Sequence, residues 1–111
     1  MAVVNQYKFA GLNANTDNTE KNPFGSGNPL VSETYLIKSI IVKSAGTPTP
    51  TVTNDGIVVI QSAALVANQS KELLTQPLIV EGGTPFTVQS STTDSFDVAI
   101  SYLNIKKEKI D

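Results

Sequence analysis

The side chains able to do chemistry in this 111-residue chain are few. All eight basic residues are lysines, and His, Cys, Arg and Trp are absent. Without His or Cys there is no usual general base, thiolate nucleophile or common transition-metal ligand. Without Arg there is no bidentate clamp for phosphate or carboxylate. A hydrolase built from what remains needs two carboxylates ~5–9 Å apart across a cleft. The acids placed near turns are Asp55, Glu81, Asp94 and Asp97, where such residues more often end strands and keep sheet edges soluble. Asn13, Asn15 and Asp17 have the one-three-five spacing of a calcium loop. However, the sixth position is Asn18 rather than Gly and the twelfth is Phe24 rather than Glu. Asn68-Gln69-Ser70 matches a glycosylation acceptor without the signal peptide that would give it meaning. Gly82-Gly83 lacks the following helix and lysine of a phosphate loop. The expectation is a protein that is not an enzyme, with no catalytic, cofactor-binding or metal residues and no cofactor.

Charge points away from polyanions. The formal net charge is −2, and Lys106, Lys107 and Lys109 are interleaved with Glu108 and Asp111, so no basic, aromatic-studded stripe exists to grip nucleic acid. No window approaches the ~18 apolar residues of a helical membrane span. The opening residues Met1 to Gln6 lack the basic start and apolar run of a signal peptide. The expectation is therefore a protein made in a cytoplasm, with neither nucleic acid nor membrane as partner.

What the chain offers instead is surface. Tyr7, Phe9 and Phe24 lie in a polar stretch that cannot bury enough area to order itself. Large apolar groups there call for cover, either from a partner or from the chain's own core. The run Thr34 to Lys43 is apolar in both frames, with Leu36, Ile40 and Val42 in one and Tyr35, Ile37 and Ile41 in the other. A strand of that kind is expected to be covered on both faces. Tyr7, Phe9, Phe24, Tyr35, Ile37 and Ile41 are accordingly the candidate partner-binding residues.

The elements that must position these groups are strands. Val, Ile, Thr and Ser dominate, as in a pleated sheet with short turns. Residues 1–31 read as an N-terminal arm holding a possible short edge strand at Val3–Phe9, and its span Gly11–Pro29 could reach roughly 60 Å extended. Residues 32–105 read as the folded domain, and 106–111 as a charged tail. Thr51–Thr53, Asn54-Asp55-Gly56 and Ile57–Ile60 form the best hairpin signal, because Asn, Asp and Gly tolerate the positive φ of a tight turn. Ala63–Leu74 is the only helical candidate, with strand the favoured reading. Leu78–Val80 is a short strand closed by Glu81-Gly82-Gly83, and Phe86 and Val88 alternate in the next. Phe96, Val98, Ile100 and Tyr102 alternate cleanly, and a shift of the apolar frame to Leu103 and Ile105 suggests a bulge or a change of sheet. Seven to eight short strands at this spacing predict an all-β fold, an antiparallel β-sandwich of jelly-roll-like kind.

A family resemblance attaches to these strands. Tyr35-Leu-Ile-Lys-Ser-Ile-Ile-Val42, Leu73-Leu-Thr-Gln-Pro-Leu-Ile-Val80 with Glu81-Gly82-Gly83, Phe86–Ser91 and Phe96-Asp-Val-Ala-Ile-Ser-Tyr-Leu103 resemble small virion structural proteins of tailed bacteriophages. The match spans Thr34 to Ile105 and consists of strand-and-turn patterns, so it transfers no functional residues. It implies a capsid decoration or cement protein that binds the major capsid protein or other virion proteins. It also implies a homo-oligomer, a trimer among the forms considered, located in the virion after assembly in the host cytoplasm. A tail or fibre module binding a host receptor or glycan is the alternative. On this reading the arm clasps the capsid, and a chain lacking Met1–Pro29 still folds.

Overall fold

The computed structural model describes residues 2–16, 18–25 and 29–108, and shows eight strands in two antiparallel sheets, with no helix among the described residues. In chain order they are β1 (Ala2–Asn15), β2 (Glu33–Ser44), β3 (Thr51–Asn54), β4 (Ile57–Gln61), β5 (Lys71–Glu72), β6 (Leu78–Glu81), β7 (Phe86–Gln89) and β8 (Phe96–Glu108). The larger sheet runs β1-β8-β2, after which β6 and β5 share the far edge of β2. The smaller sheet runs β4-β3-β7. Side chains from both sheets meet in one core, so the chain folds as a small β-sandwich.

The core shows how the two-faced run of β2 is resolved. Pairing with β8 passes from Ile37↔Tyr102 to Ser39↔Ser101, which leaves Lys38 as an extra, bulged residue. A bulge moves every later side chain to the opposite face. Tyr35 and Ile37 before it, and Ile40 and Val42 after it, therefore all point into the core. Leu36 and Ile41 are left on the outer face. The two apolar frames of the sequence are one buried face interrupted once, and no second cover is required over Tyr35 and Ile37.

Two further expectations change. β8 itself runs to Glu108 without a break, and its register with β1 is continuous through Tyr102; the shift at that point lies across the ladder, at Lys38 of β2. Its inner face continues into buried Asn104, while Leu103 and Ile105 face outward. Ala63–Leu74 is neither helix nor long strand, since only Lys71–Glu72 pairs, opposite Ile41 and Val42. On that edge β6 covers Thr34–Ile37, and the Glu72 carboxylate bridges the gap between β6 and β5. It accepts hydrogen bonds from Ser39 Oγ and from the Ile40 amide, the latter at 2.7 Å. The Leu73 amide then donates to the Ile40 carbonyl at 2.8 Å. One side chain thus satisfies backbone groups beside the bulge that no strand reaches.

The expected hairpin is present. Asp55 and Gly56 have φ of 53° and 77°, the left-handed pair that a two-residue turn needs to match strand twist. The expected arm takes a different form. β1 is a full edge strand, about 46 Å at ~3.3 Å per residue, paired with β8 from Ala2 to Leu12 and, past an irregularity, again at Asn15. Gly11 is required within it, because a Cβ there would collide with the Val98 carbonyl oxygen. The chain then crosses to the smaller sheet, where Lys21 and Val88 exchange backbone hydrogen bonds of 3.1 and 2.8 Å.

Candidate interaction surfaces

The six candidate residues divide between the inside and the outside of the sandwich. Tyr35 and Ile37 are core residues, which withdraws them from contact with any partner. Phe24 closes the end of the core, with its ring 4.7 Å from Tyr35, 4.8 Å from Tyr102 and 5.4 Å from Phe86. The two tyrosine contacts are edge-to-face, which lets positive ring edges meet negative faces. The polar segment after β1 therefore delivers an aromatic to its own domain. Tyr7, Phe9 and Ile41 remain outside, 79%, 72% and 40% exposed.

The buried end of the core is polar as well as aromatic. Tyr35 and Tyr102 lie 4.6 Å apart. Burial, reinforced by the nearby Glu33 carboxylate, pushes the Tyr35 hydroxyl up to about 12, and the same two causes raise Tyr102. Asn104 Nδ2 donates to Glu33 Oε2 at 2.9 Å, and the Leu30 amide donates to Glu33 Oε1 at 3.2 Å. Glu33 thus holds the Leu30 turn onto β8. Asn104 Oδ1 is buried without a hydrogen-bond partner. The group ties the strand ends together.

The outer face of the larger sheet is built in rows by strand register. One row reads Tyr7, Leu103, Leu36 and Ile79 across β1, β8, β2 and β6. The next reads Phe9, Ser101 and Ser39, and the one beyond it Gly11, Ala99, Ile41 and Glu72. The first row is large throughout, whereas the third narrows to Gly11 and Ala99 at its β1 and β8 positions, so the face carries a ridge and a groove and is corrugated. A groove of ≈ 510 Å³ opens over Gly11 and Ala99, between Phe9 and Ile41, with Lys43 and Asp97 at its end.

A second apolar surface lies on the smaller sheet. Ile57, Val58 and Val59 of β4 are 65%, 55% and 39% exposed, and β4 pairs on one side only, with β3. Two shallow clefts flank Val59. The one of ≈ 380 Å³ also takes in Ile57, Ile79, Asp55 and Glu81; the one of ≈ 270 Å³ takes in Leu73, Leu74 and Pro77. Asn54 spans the first by donating from Nδ2 to the Ile79 carbonyl at 2.9 Å. The sequence does carry this signal: Ile57-Val-Val-Ile60 is apolar at every position, which an edge strand with one covered face does not need. Ile79 carries no such signal, because its exposure depends on which side of β2 receives β6.

The acidic candidates are dispersed. Asp97 Oδ1 accepts the Ala14 amide at 2.5 Å and ties the end of β1 to β8, and Asp94 accepts the Thr92 hydroxyl at 3.0 Å. Asp55 and Glu81 share a cleft. Among the described residues no group of three acids could hold a metal ion. Of the calcium-like spacing, Asn13 and Asn15 belong to β1 and Asp17 lies outside the described residues, as do residues 109–111 of the tail. Asn68 sits exposed in a turn, with its amide donating to the Ser44 carbonyl at 2.7 Å. Compared with known protein families and with curated proteins, the chain matches none.

Proposed function

We propose that this protein is a non-enzymatic assembly module, a structural component of a bacteriophage particle that binds other virion proteins and copies of itself. The observation that carries the reading is the presence of two apolar surfaces on one small sandwich, the outer face of the larger sheet and the edge strand β4, which adjoin at Ile79. Monomeric soluble domains seldom leave such areas open without a partner to cover them. Two surfaces on different sheets suit a domain that bridges neighbours. The strand-and-turn resemblance to small virion proteins gives the setting and favours a capsid decoration or cement role.

The test is direct. Particles of the phage that encodes the chain are banded by density, and their protein content is counted by mass spectrometry. A decoration protein is expected at a fixed ratio to the major capsid protein, and Val58→Lys, on the exposed strip of β4, is expected to lower that ratio. Absence of the chain from particles would overturn the reading. Presence at a few copies per particle, together with binding on a glycan array, would move it to a tail or fibre module.

A further inference from the structure

The corrugated outer face of the larger sheet has a definite fit, and we infer that it is covered by the same face of a second copy related by a two-fold axis. The inference deepens the proposed assembly role and rests on it, by naming the occupant of one of the two apolar surfaces. Three features of the face lead to a second copy.

The first is shape. Ridge and groove lie on the same face on either side of the Phe9, Ser101 and Ser39 row. A two-fold running across the strands at that row exchanges the rows beside it. Tyr7 of each copy then lies over Gly11 and Ala99 of the other, in the ≈ 510 Å³ groove, and Leu36 lies over Ile41. A surface that carries its own complement at the symmetry-related position makes an isologous, closed contact.

The second feature is area. At 79% and 72% exposure, Tyr7 and Phe9 together offer about 300 Å² of the roughly 150–250 Å² each such residue can bury. With Leu36, Leu103, Ile41, Ile79 and Ile105 the apolar face comes to roughly 600 Å² per copy. The pair would bury about 1,200 Å², the lower bound of a standard specific interface. The expected dimer is therefore a weak one, at the small end of specific interfaces.

The third is charge. Glu81 belongs to the row at one end of the face, and Lys43, beside Asp97, to the row at the other. The same two-fold brings Glu81 of each copy near Lys43 of its mate, where Lys43 lies between two carboxylates. Lys38, the bulged residue, is the like charge nearest the axis, and its long stem lets the ammonium reach the rim. Two sheets stacked in this way sit ~10 Å apart with strands nearly aligned, as ordinary sandwich layers do.

The test uses the full chain in sedimentation equilibrium between about 5 and 500 µM. The wild type is expected to pass from monomer to dimer within that range. Tyr7→Lys and Ile41→Lys, both at exposed positions, are expected to raise the dissociation constant at least about tenfold, with circular dichroism showing the fold retained. Val58→Lys, on the exposed strip of β4 away from the cleft that Ile57 shares with Ile79 and Glu81, is expected to leave it unchanged. Because the chain has no cysteine, Ser101→Cys gives a single thiol beside the axis. A short bismaleimide should cross-link it into dimers, while Val58→Cys should not cross-link. A monomer throughout the range, a trimer, loss of the dimer in Val58→Lys alone, or a dimer in which Ser101→Cys fails to cross-link would each overturn the inference. Particle content separates this from the broader proposal. A Tyr7→Lys chain that is monomeric yet fully present on particles leaves the two-fold correct and shows that the virion contact lies elsewhere. A wild-type dimer absent from every particle would overturn the proposed function while leaving the two-fold standing.

Discussion

Replacing Phe24 by alanine tests whether the polar segment after β1 belongs to the fold or waits for a partner. The ring touches Tyr35, Tyr102 and Phe86 at 4.7, 4.8 and 5.4 Å. Aromatic pairs contribute about 0.5–1.5 kcal/mol each beyond their buried area, and fully buried Phe→Ala substitutions cost about 3–5 kcal/mol. Phe24 is only half-buried, so the lower end applies, about 3 kcal/mol. A chain of 111 residues has a total stability of roughly 6–17 kcal/mol, so a large share rests on one residue of a supposed arm. At about 4 °C per kcal/mol for this size, Tm should fall by ~12 °C in thermal unfolding followed by far-UV circular dichroism. The near-UV tyrosine signal of the cluster should weaken in the same sample. Phe9→Ala, at an exposed position, should shift Tm by no more than ~2 °C. A loss below ~3 °C for Phe24→Ala would show that the ring does not pack on the core, and would restore the free arm. The same logic reverses the sequence-based expectation for the chain lacking Met1–Pro29. That deletion removes β1 and the Phe24 plug together, and is expected to abolish cooperative unfolding.

Other consequences are sharper in kind. The Tyr35 hydroxyl is raised to about 12 and Tyr102 is raised with it, so the folded chain holds these protons after the unfolded chain has released them. The stability they contribute is complete below about pH 10 and is lost as pH climbs toward 12. Absorbance at 295 nm should show Tyr35 ionising near 12, and Tyr35→Phe should remove that delayed step. Glu72→Ala leaves the Ile40 amide without its acceptor and should cost about 1–3 kcal/mol in urea unfolding, with Glu72→Gln recovering part of it. Equal stability of Glu72→Ala and wild type would mean that water serves β2 as well as the carboxylate does. Gly56→Val forces a β-branched residue to φ near 77°; a loss of at least about 1 kcal/mol is expected, and no loss would mean the turn is not left-handed. Glu33→Ala and Asn104→Ala share one hydrogen bond, so their double-mutant cycle should show coupling of at least ~0.5 kcal/mol.

How far the sequence reaches can be judged residue by residue. Local chemistry was enough for the Asp55-Gly56 hairpin, because positive φ is a property of two residues and their turn. It was enough for β8 from Phe96 to Tyr102, because period-two alternation is a property of one strand on one core. It was also enough for the antiparallel all-β class and for the scarcity of reactive groups, which follow from composition. The bulge at Lys38 was a matter of pairing: β8 fixes which residue of β2 is extra, and without the partner its two apolar frames look like two faces. Asn104 broke the apolar pattern of β8 only because its partner, Glu33, lies 71 residues away. Phe24, Tyr35 and Ile37 passed from candidate contact to core when the two sheets closed over them. Tyr7, Phe9 and Ile41 stayed outside because the core took the other face of their sheet. Composition and strand spacing thus decided that this chain is a small β-sandwich without His, Cys, Arg or Trp. Long-range pairing, which no local pattern encodes, decided which of its apolar residues stay exposed.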